Sequence, residues 1–196
     1  YNSSQVANVN DLKSKIITSL TSYAKSSDLN RFGGRFKYSK VLNVIDNIDK
    51  SITSNITRVK IRRNLNALIN QFAQYELCFG NRFNVKPEGL NIKSTGFRIQ
   101  GQSDTVFITD TPNADKLTGV ISIVKRDETT GTNIVVVKSA GTVDYVHGEV
   151  NLTTINIVST DKPNNIVEVQ AFPDSNDVIG LQAVSYTHLR AHETSE

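Results

Sequence analysis

Residues 141–152 read Gly-Thr-Val-Asp-Tyr-Val-His-Gly-Glu-Val-Asn-Leu. Val143 and Tyr145 alternate with polar residues, and the apolar residues after the turn repeat this alternation. A period of two is typical of a β-strand with one buried face. His147 and Gly148 lie between the two runs and are residue types that tight turns accept. The stretch therefore predicts a β-hairpin.

The same period extends along the chain on both sides of this hairpin. Tyr75, Leu77 and Phe79 alternate with polar neighbours, which predicts a strand near the start of the region. Further candidate strands lie at 97–99, 105–109, 120–125, 134–138, 142–145, 149–157 and 166–172. Segments with the composition of turns separate them, at 111–113, 130–132 and 161–165. We therefore predict an antiparallel β-rich domain over residues 71–182.

Residues before this region have the period of a helix. Apolar side chains three or four positions apart form one stripe: Leu12, Ile16, Leu20 and Tyr23. This spacing predicts an amphipathic helix that ends near Lys25, with Asn10 or Asp11 as its N-cap.

A second helix follows a short strand. Gly33-Gly34 predicts a tight turn, and residues 35–38 are a candidate strand. Ser39 is a suitable N-cap for a helix carrying Val41, Leu42, Ile45 and Ile48. Basic and apolar residues then alternate within 56–63, as expected of a half-buried strand. The fold class is therefore α+β, with a small N-terminal helix-strand-helix-strand unit over residues 1–70 before the antiparallel β-rich domain.

The end of the chain has a different origin. Residues 184–194 read Val-Ser-Tyr-Thr-His-Leu-Arg-Ala-His-Glu-Thr, which is the translation of a sequencing adapter. We therefore expect 183–196 to be a non-native tail. His188, His192 and Glu193 have the spacing of a helical metal site, but we attribute them to adapter codons and predict no metal site. The sequence contains no methionine, so we expect Tyr1 to lie within a longer protein.

The residues that could carry chemistry are isolated from one another. His147 is interpreted as a turn residue, and Cys78, the single cysteine, is expected to be a buried and inert thiol. Gly33-Gly34 lacks the spacing of a phosphate-binding loop. We therefore predict no catalytic, cofactor-binding or metal-binding residues, no small-molecule substrate, and no enzyme activity.

The richest charge feature is a basic run, consisting of Arg58, Lys60, Arg62 and Arg63. Three of these residues share one face of the predicted strand, where they could contact phosphates or an acidic protein. The net charge of +3 is small, and the run lacks the aromatic platform of single-strand binders. We therefore interpret the run as a solvated face and predict no nucleic-acid partner. Since no apolar run is long enough to span a bilayer, we also predict no membrane partner.

Two sets of positions together resemble a known family. The first set is Val9, Leu12, Ile16, Leu20, Tyr23, 32–36, Ser39, Val41, Ile45, Ile48 and 56–61. The second set lies downstream, at 93–97, 141–145, 148–150 and 172–180. The first set resembles the baseplate J-like family. The second is similar to one subgroup, the baseplate wedge subunits of T-even-type contractile-tailed bacteriophages, of which the chain would be an internal to C-terminal fragment.

The resemblance implies a structural role in the virion. Such a subunit joins copies of itself and other baseplate wedge subunits into a ring around the tail hub, and it transmits the conformational change of the baseplate to sheath contraction. The resemblance also implies assembly in the host cytoplasm, and it brings no cofactor and no catalytic residue. The main alternative from the sequence is a carbohydrate-binding β-domain of a tail-fibre or surface protein, which would expose clustered aromatic side chains.

Overall fold

A computed structural model describes residues 8–31 and 36–178 of the chain. Two helices come first, α1 (Val9–Ala24) and α2 (Tyr38–Asp46). The strands that follow are β1 (Ile61–Asn66), β2 (Phe72–Cys78), β3 (Lys93–Ser94), β4 (Phe97–Ile99), β5 (Val106–Pro112), β6 (Thr118–Arg126), β7 (Asn133–Asp144), β8 (Glu149–Thr160) and β9 (Ile166–Ala171). A 3₁₀ turn at Pro163–Asn165 connects β8 to β9. The α+β class is confirmed in this coarse form.

Helix α1 confirms the period seen in the sequence but begins earlier than expected. Its N-cap is Asn8, whose side-chain oxygen accepts a hydrogen bond from the backbone N–H of Asn10 at 2.9 Å. Such a cap satisfies one of the backbone donors that the first helical turn leaves unpaired. Leu12 is the one residue of α1 that is fully buried.

Helix α2 is capped by a residue far away in the sequence. The expected cap, Ser39, lies inside the helix, and Lys37 at the N-cap position makes no side-chain capping bond. Instead the carboxylate of Asp177 accepts a hydrogen bond from the backbone N–H of Tyr38 at 2.8 Å. This contact joins the helical pair to the segment that follows β9. The strand expected at 35–38 does not form at residues 36–38, because Tyr38 already belongs to α2. Residue 35 lies outside the described ranges.

Five consecutive strands form a closed barrel. Strands β4, β5, β6, β7 and β8 each pair antiparallel with the next, and β4 also pairs with β8. Closure pairs the barrel strands around a complete circuit. The hairpin of β7 and β8 confirms the prediction from residues 141–152, with Val143 opposite Val150 and Asp144 opposite Glu149.

Further strands extend the sheet beyond the barrel. β2 pairs with β8, and the short strand β3 pairs with both β5 and β9. β9 in turn pairs with β1 along its whole length, from Ile61 opposite Ala171 to Asn66 opposite Ile166. The closing strand expected at 56–63 therefore begins only at Ile61, and it joins the sheet. The division of the chain into units at residues 70 and 182 stays a prediction.

Several strands differ in extent from the sequence expectation. The candidates at 134–138 and 142–145 are one continuous strand, β7, whose register with β6 shifts between Ile121 and Ile123 and again between Ile123 and Val124. The extra residues of β7 at these β-bulges interrupt the alternation, which is why the sequence suggested two strands. The turn expected at 111–113 comes later, because Pro112 ends β5 opposite Gly119.

One apolar core holds the barrel and its extension together. Its largest fully buried side chains are Tyr145, Phe83, Phe97, Leu65, Ile92, Ile108, Ile121, Ile123, Ile157, Val106, Val143 and Val150. Leu65 comes from β1, while Val167 and Val169 come from β9, so the extension contributes its inner face to the core. Because strand residues alternate between faces, the outer face of β1, β9 and β3 is left mainly to polar residues, with Ile166 as an apolar member.

A polar pair lies within this apolar core. Tyr145 and Asp110 are 1% and 2% exposed, and the Tyr145 hydroxyl donates to a carboxylate oxygen of Asp110 at 2.7 Å. The other carboxylate oxygen accepts the backbone N–H of Ile92 at 2.7 Å. Burial, followed by the hydrogen bond to Asp110, raises the pKa of Tyr145. The pair thus ties the loop before β3 to two sides of the barrel.

Candidate interaction surface

The outer face of the extension gathers basic side chains from separate parts of the chain. Arg62 of β1 and Lys93 of β3 both pair in register with Gln170 of β9, so the three side chains lie in one row across the sheet. We define the basic face as Lys60, Arg62, Lys86, Lys93 and Lys162 together with Glu168, Gln170 and Phe172. Lys60, Lys93, Gln170 and Phe172 also line one small depression of the surface.

Phe172 lies under two ammonium groups. The Nζ atom of Lys60 is 5.1 Å from the centre of the Phe172 ring, and that of Lys86 is 5.0 Å from the same centre. Both distances are within the range in which a cation is attracted to an aromatic face. The ring therefore holds two positive charges near each other on the surface.

The buried side-chain amide of Asn91 holds the backbone of Phe172 in place. The side-chain oxygen of Asn91 accepts the N–H of Phe172 at 3.1 Å, and its side-chain nitrogen donates to the Phe172 carbonyl at 3.2 Å. The same carbonyl accepts the backbone N–H of Asn84 at 3.0 Å. Since Asn91 is 1% exposed, these bonds are shielded from water and hold the position of the ring.

The charges on the basic face are not balanced. Glu168 is its one carboxylate, and it pairs with Arg62 at 2.9 Å and with Lys162 at 3.7 Å. In the described ranges, Lys60, Lys86 and Lys93 make no ion pair. Five basic side chains therefore surround one acid, and three of them lack a carboxylate partner there.

The structure divides the basic run that the sequence singled out. Lys60 and Arg62 belong to the basic face, whereas Arg63 pairs with Val169 and lies half-buried on the opposite side of the sheet. Arg58 is exposed and precedes the strand. Sequence reasoning missed Lys86, Lys93, Lys162 and Phe172, because these residues are distant from the basic run in the sequence and only the fold brings them together.

The helical pair exposes apolar side chains. α1 and α2 pack against each other, and ion pairs connect Lys15 to Asp49 at 3.5 Å and Lys40 to Asp28 at 2.6 Å. The Lys40 ammonium lowers the pKa of Asp28, and the Asp28 carboxylate raises that of Lys40. Ile17 is nevertheless 55% exposed on α1.

An apolar side chain is also exposed beyond α2. Ile56 is 95% exposed in the extended segment that follows this helix. The hydroxyl of Tyr38 donates to the carbonyl of Thr57 at 2.7 Å, so this segment is attached to α2 just beyond Ile56. The N-terminal part of the described chain thus exposes Ile17 on α1 and Ile56 in the segment after α2.

A cleft at one end of the barrel lacks the exposed aromatic surface on which a sugar ring packs. Its volume is about 920 Å³, and charged or polar side chains predominate in its lining, with Phe107 as the aromatic member. Phe107 is half-buried, and within residues 8–31 and 36–178 Phe72 is the one exposed aromatic side chain, at 70%. A cluster of exposed aromatic residues is thus absent from these ranges.

His147 lies at the turn between β7 and β8, as expected. Its Nδ1 atom is 2.8 Å from a carboxylate oxygen of Asp144, whose other oxygen accepts the backbone N–H groups of Val146 and His147. The hydrogen bond and charge of Asp144 raise the pKa of His147, and the hydrogen bond from His147 lowers that of Asp144. These contacts are those of a capped turn.

Cys78 corrects one expectation. The thiol was expected to be buried, but it is exposed at the end of β2, whose alternation turns Leu77 inward and Cys78 outward. The alternation of the sequence already placed it on the polar face, so the general preference of cysteine for burial was the wrong guide.

The remaining candidates lie outside the described residues. These are Gly33-Gly34, His188, His192 and Glu193. In the part of the chain that the structure covers, no group of three or more His, Cys, Asp or Glu residues is placed to hold a metal ion. No helix there is long and apolar enough to cross a membrane.

One protein-family model matches the N-terminal part of the chain, which contains the helical pair. Residues 1–64 match the family model described as baseplate structural protein gp6, C-terminal domain III. No curated protein matches the chain. The matched residues include α1, α2 and the first part of β1, and thus Lys60 and Arg62 of the basic face. The match supports a structural role in a phage tail baseplate and a location in the baseplate of the virion.

Proposed function

We propose that the chain is part of a baseplate wedge subunit that is a structural component and not an enzyme. In this proposal it belongs to the baseplate J-like family and contacts copies of itself and other wedge subunits, which together form a ring. The ring holds the baseplate and transmits its change of shape to contraction of the sheath. Assembly takes place in the host cytoplasm. The observation that carries the proposal is the match of residues 1–64 to a baseplate structural domain.

The matched segment has the surface of a contact element. Its helices bury one residue each, Leu12 and Val41, while Ile17 and Ile56 remain exposed. Protein interfaces commonly bury apolar side chains of this kind inside a polar rim. A hydrogen bond between Asp177 and Tyr38 joins the helical pair to the segment after β9, and in this proposal it is one route by which a displacement passes between the two parts. The proposal therefore assigns the first contacts to the helices and a supporting role to the barrel.

Co-sedimentation tests the proposal directly. The full 196-residue chain is mixed with purified wedge proteins of a contractile-tailed phage, and complexes are detected by sedimentation velocity. We expect the chain to enter a complex with at least one wedge protein. Sedimentation of the chain as a separate species with every wedge protein, under conditions in which the wedge itself assembles, would contradict the proposal.

Substitutions separate the helical contact from the barrel. Ile17→Asp and Ile56→Asp place a charge on side chains that are 55% and 95% exposed, so folding is retained while a buried contact is lost. We expect each to weaken co-sedimentation. Val135→Asp is the matched control, because Val135 is 56% exposed on β7 outside the matched residues. An equal loss in this control would assign the contact to general surface properties and not to the helical pair.

No observation favours the carbohydrate-binding alternative to the same degree. Sugar recognition by a β-domain relies on exposed aromatic faces, and in the described ranges Phe72 alone provides one.

A further inference from the structure

We propose that the basic face docks an acidic segment of a neighbouring protein subunit. This inference rests on the proposed baseplate role and adds to it the chemistry of one partner. The face covers the outer side of β1, β9 and β3 and the residues beside them, and its row of Arg62, Gln170 and Lys93 spans all three strands.

Positive charges without an ion-pair partner are concentrated at one place on the basic face. Lys60 and Lys86 lie over the same ring, and Lys93 lies with Lys60 in the same depression. Within the part of the chain that is described, none of the three has a carboxylate partner. Like charges held close together repel one another, since salt screens them only over about 10 Å. An anionic partner relieves this repulsion, whereas an apolar partner would remove the unpaired ammonium groups from water without neutralising them.

Buried and ionic contacts hold the backbone beneath the basic face in place. The buried side chain of Asn91 bonds both backbone groups of Phe172, and Glu168 anchors Arg62 with a bond of 2.9 Å. A prearranged surface loses less conformational freedom on binding than a mobile one does. The backbone of Phe172 and the Arg62 side chain therefore hold their positions, and the lysines project from this sheet surface towards a partner.

The face favours an acidic protein segment over a nucleic acid. Base stacking requires an open aromatic ring, but the Phe172 ring already has two ammonium groups over it. Glu168 also lies among the basic residues and would repel a continuous row of phosphates. Carboxylates on a protein can be spaced so that they avoid this acid. The hydrogen-bonding groups of Gln170 are then available to the backbone of the same segment.

Binding of a labelled acidic peptide tests the inference. The full chain is titrated against a fluorescein-labelled peptide of about ten residues in which glutamate alternates with serine, and anisotropy is recorded at about 50 mM and about 200 mM NaCl. We expect binding at the lower salt concentration that weakens at the higher one. The double variant Lys60→Glu/Lys93→Glu is expected to bind about tenfold more weakly. Lys60→Gln/Lys93→Gln gives a second variant without added negative charge, for which we expect a smaller loss.

The matched control changes the net charge by the same amount elsewhere. Lys13→Glu/Lys138→Glu reverses two exposed lysines on α1 and β7, and neither makes an ion pair in the described ranges. We expect this control to bind the peptide as the unaltered chain does. Circular dichroism and urea unfolding confirm that each variant is folded.

Three outcomes would overturn the inference. One is the absence of peptide binding at low salt. Another is an equal loss of peptide affinity in the control variant, which would show that the affinity depends only on net charge. The third is tighter binding of a single-stranded oligonucleotide of similar length, lost in the same Lys60 and Lys93 variants. A chain that enters wedge complexes but fails these peptide tests would refute this inference alone, because the peptide assay contains no baseplate protein.

Discussion

Replacing Tyr145 with Phe removes one oxygen atom from the interior of the barrel. The ring stays in place because phenylalanine has the same shape, so no large cavity forms. What is lost is the 2.7 Å hydrogen bond to Asp110, whose carboxylate is 2% exposed. The oxygen that accepted this bond then has no replacement donor from water. We therefore expect Tyr145→Phe to destabilise the folded chain.

The size of the effect follows from the chemistry of the pair. A hydrogen bond to a charged group contributes about 1.5–3 kcal/mol, and leaving a buried acceptor unsatisfied costs a similar amount. We take about 2 kcal/mol as the expected decrease in the free energy of unfolding. In a chain of this length, that decrease lowers Tm by about 4–8 °C.

Urea unfolding followed by circular dichroism measures this difference. Tyr75→Phe is the matched control, since the Tyr75 hydroxyl accepts a bond from the exposed backbone N–H of Leu68 at 3.0 Å. Loss of this neutral and accessible bond costs about 0.5–1.5 kcal/mol. A decrease for Tyr145→Phe no larger than that for Tyr75→Phe would refute the reasoning that burial makes the Asp110 pair expensive to break.

The same pair predicts a dependence on high pH. Burial raises the pKa of Tyr145 in the folded chain, while an unfolded tyrosine ionises near pH 10. The unfolded state therefore loses its proton first, so this stabilisation is present below about pH 10 and decreases as the pH rises above it. We expect the decrease above pH 10 to be smaller in Tyr145→Phe. Equal slopes in the two proteins would contradict the assigned pKa shift.

Three further substitutions test the turns and the helix cap. Gly148→Ala places a β-carbon against the carbonyl of Asn81 at a residue with φ of 70°, and we expect urea unfolding to show a loss of about 2 kcal/mol. Asp144→Asn should lower the pKa of His147, which Asp144 raises in the folded chain, and an unchanged NMR titration would contradict this. Asp177→Ala should increase hydrogen exchange in the first turn of α2 about fivefold, whereas Asp177→Asn keeps the acceptor oxygen and should not.

Local sequence patterns predicted the helices and strands whose conformation depends on residues close together in the sequence. The spacing of Leu12, Ile16 and Leu20 predicted α1, and the alternation around His147-Gly148 predicted the hairpin of β7 and β8. In both cases the residues that decide the conformation lie within a few positions of each other. Periodicity is therefore sufficient, and only the ends of the elements were misplaced.

Long-range pairing accounts for what the sequence could not predict. The strand β3 has two residues and no recognisable period, yet Lys93 pairs with both Thr109 and Gln170. The basic face was visible only as Lys60 and Arg62, since its remaining members come from distant parts of the chain that the fold brings together. These features depend on which strands meet, and single-sequence patterns do not contain that information.

The hydrogen bond between Asp177 and Tyr38 has a consequence for synthesis of the protein. A ribosome completes α2 long before it adds Asp177, which comes 139 positions later. The first amide of α2 must therefore remain hydrated while the whole barrel emerges, and the helical pair can attach to the sheet only as a late event. Nascent chains would thus expose Ile17 and Ile56 before this attachment to the sheet can form, and association of neighbouring chains through these apolar side chains becomes easier during synthesis.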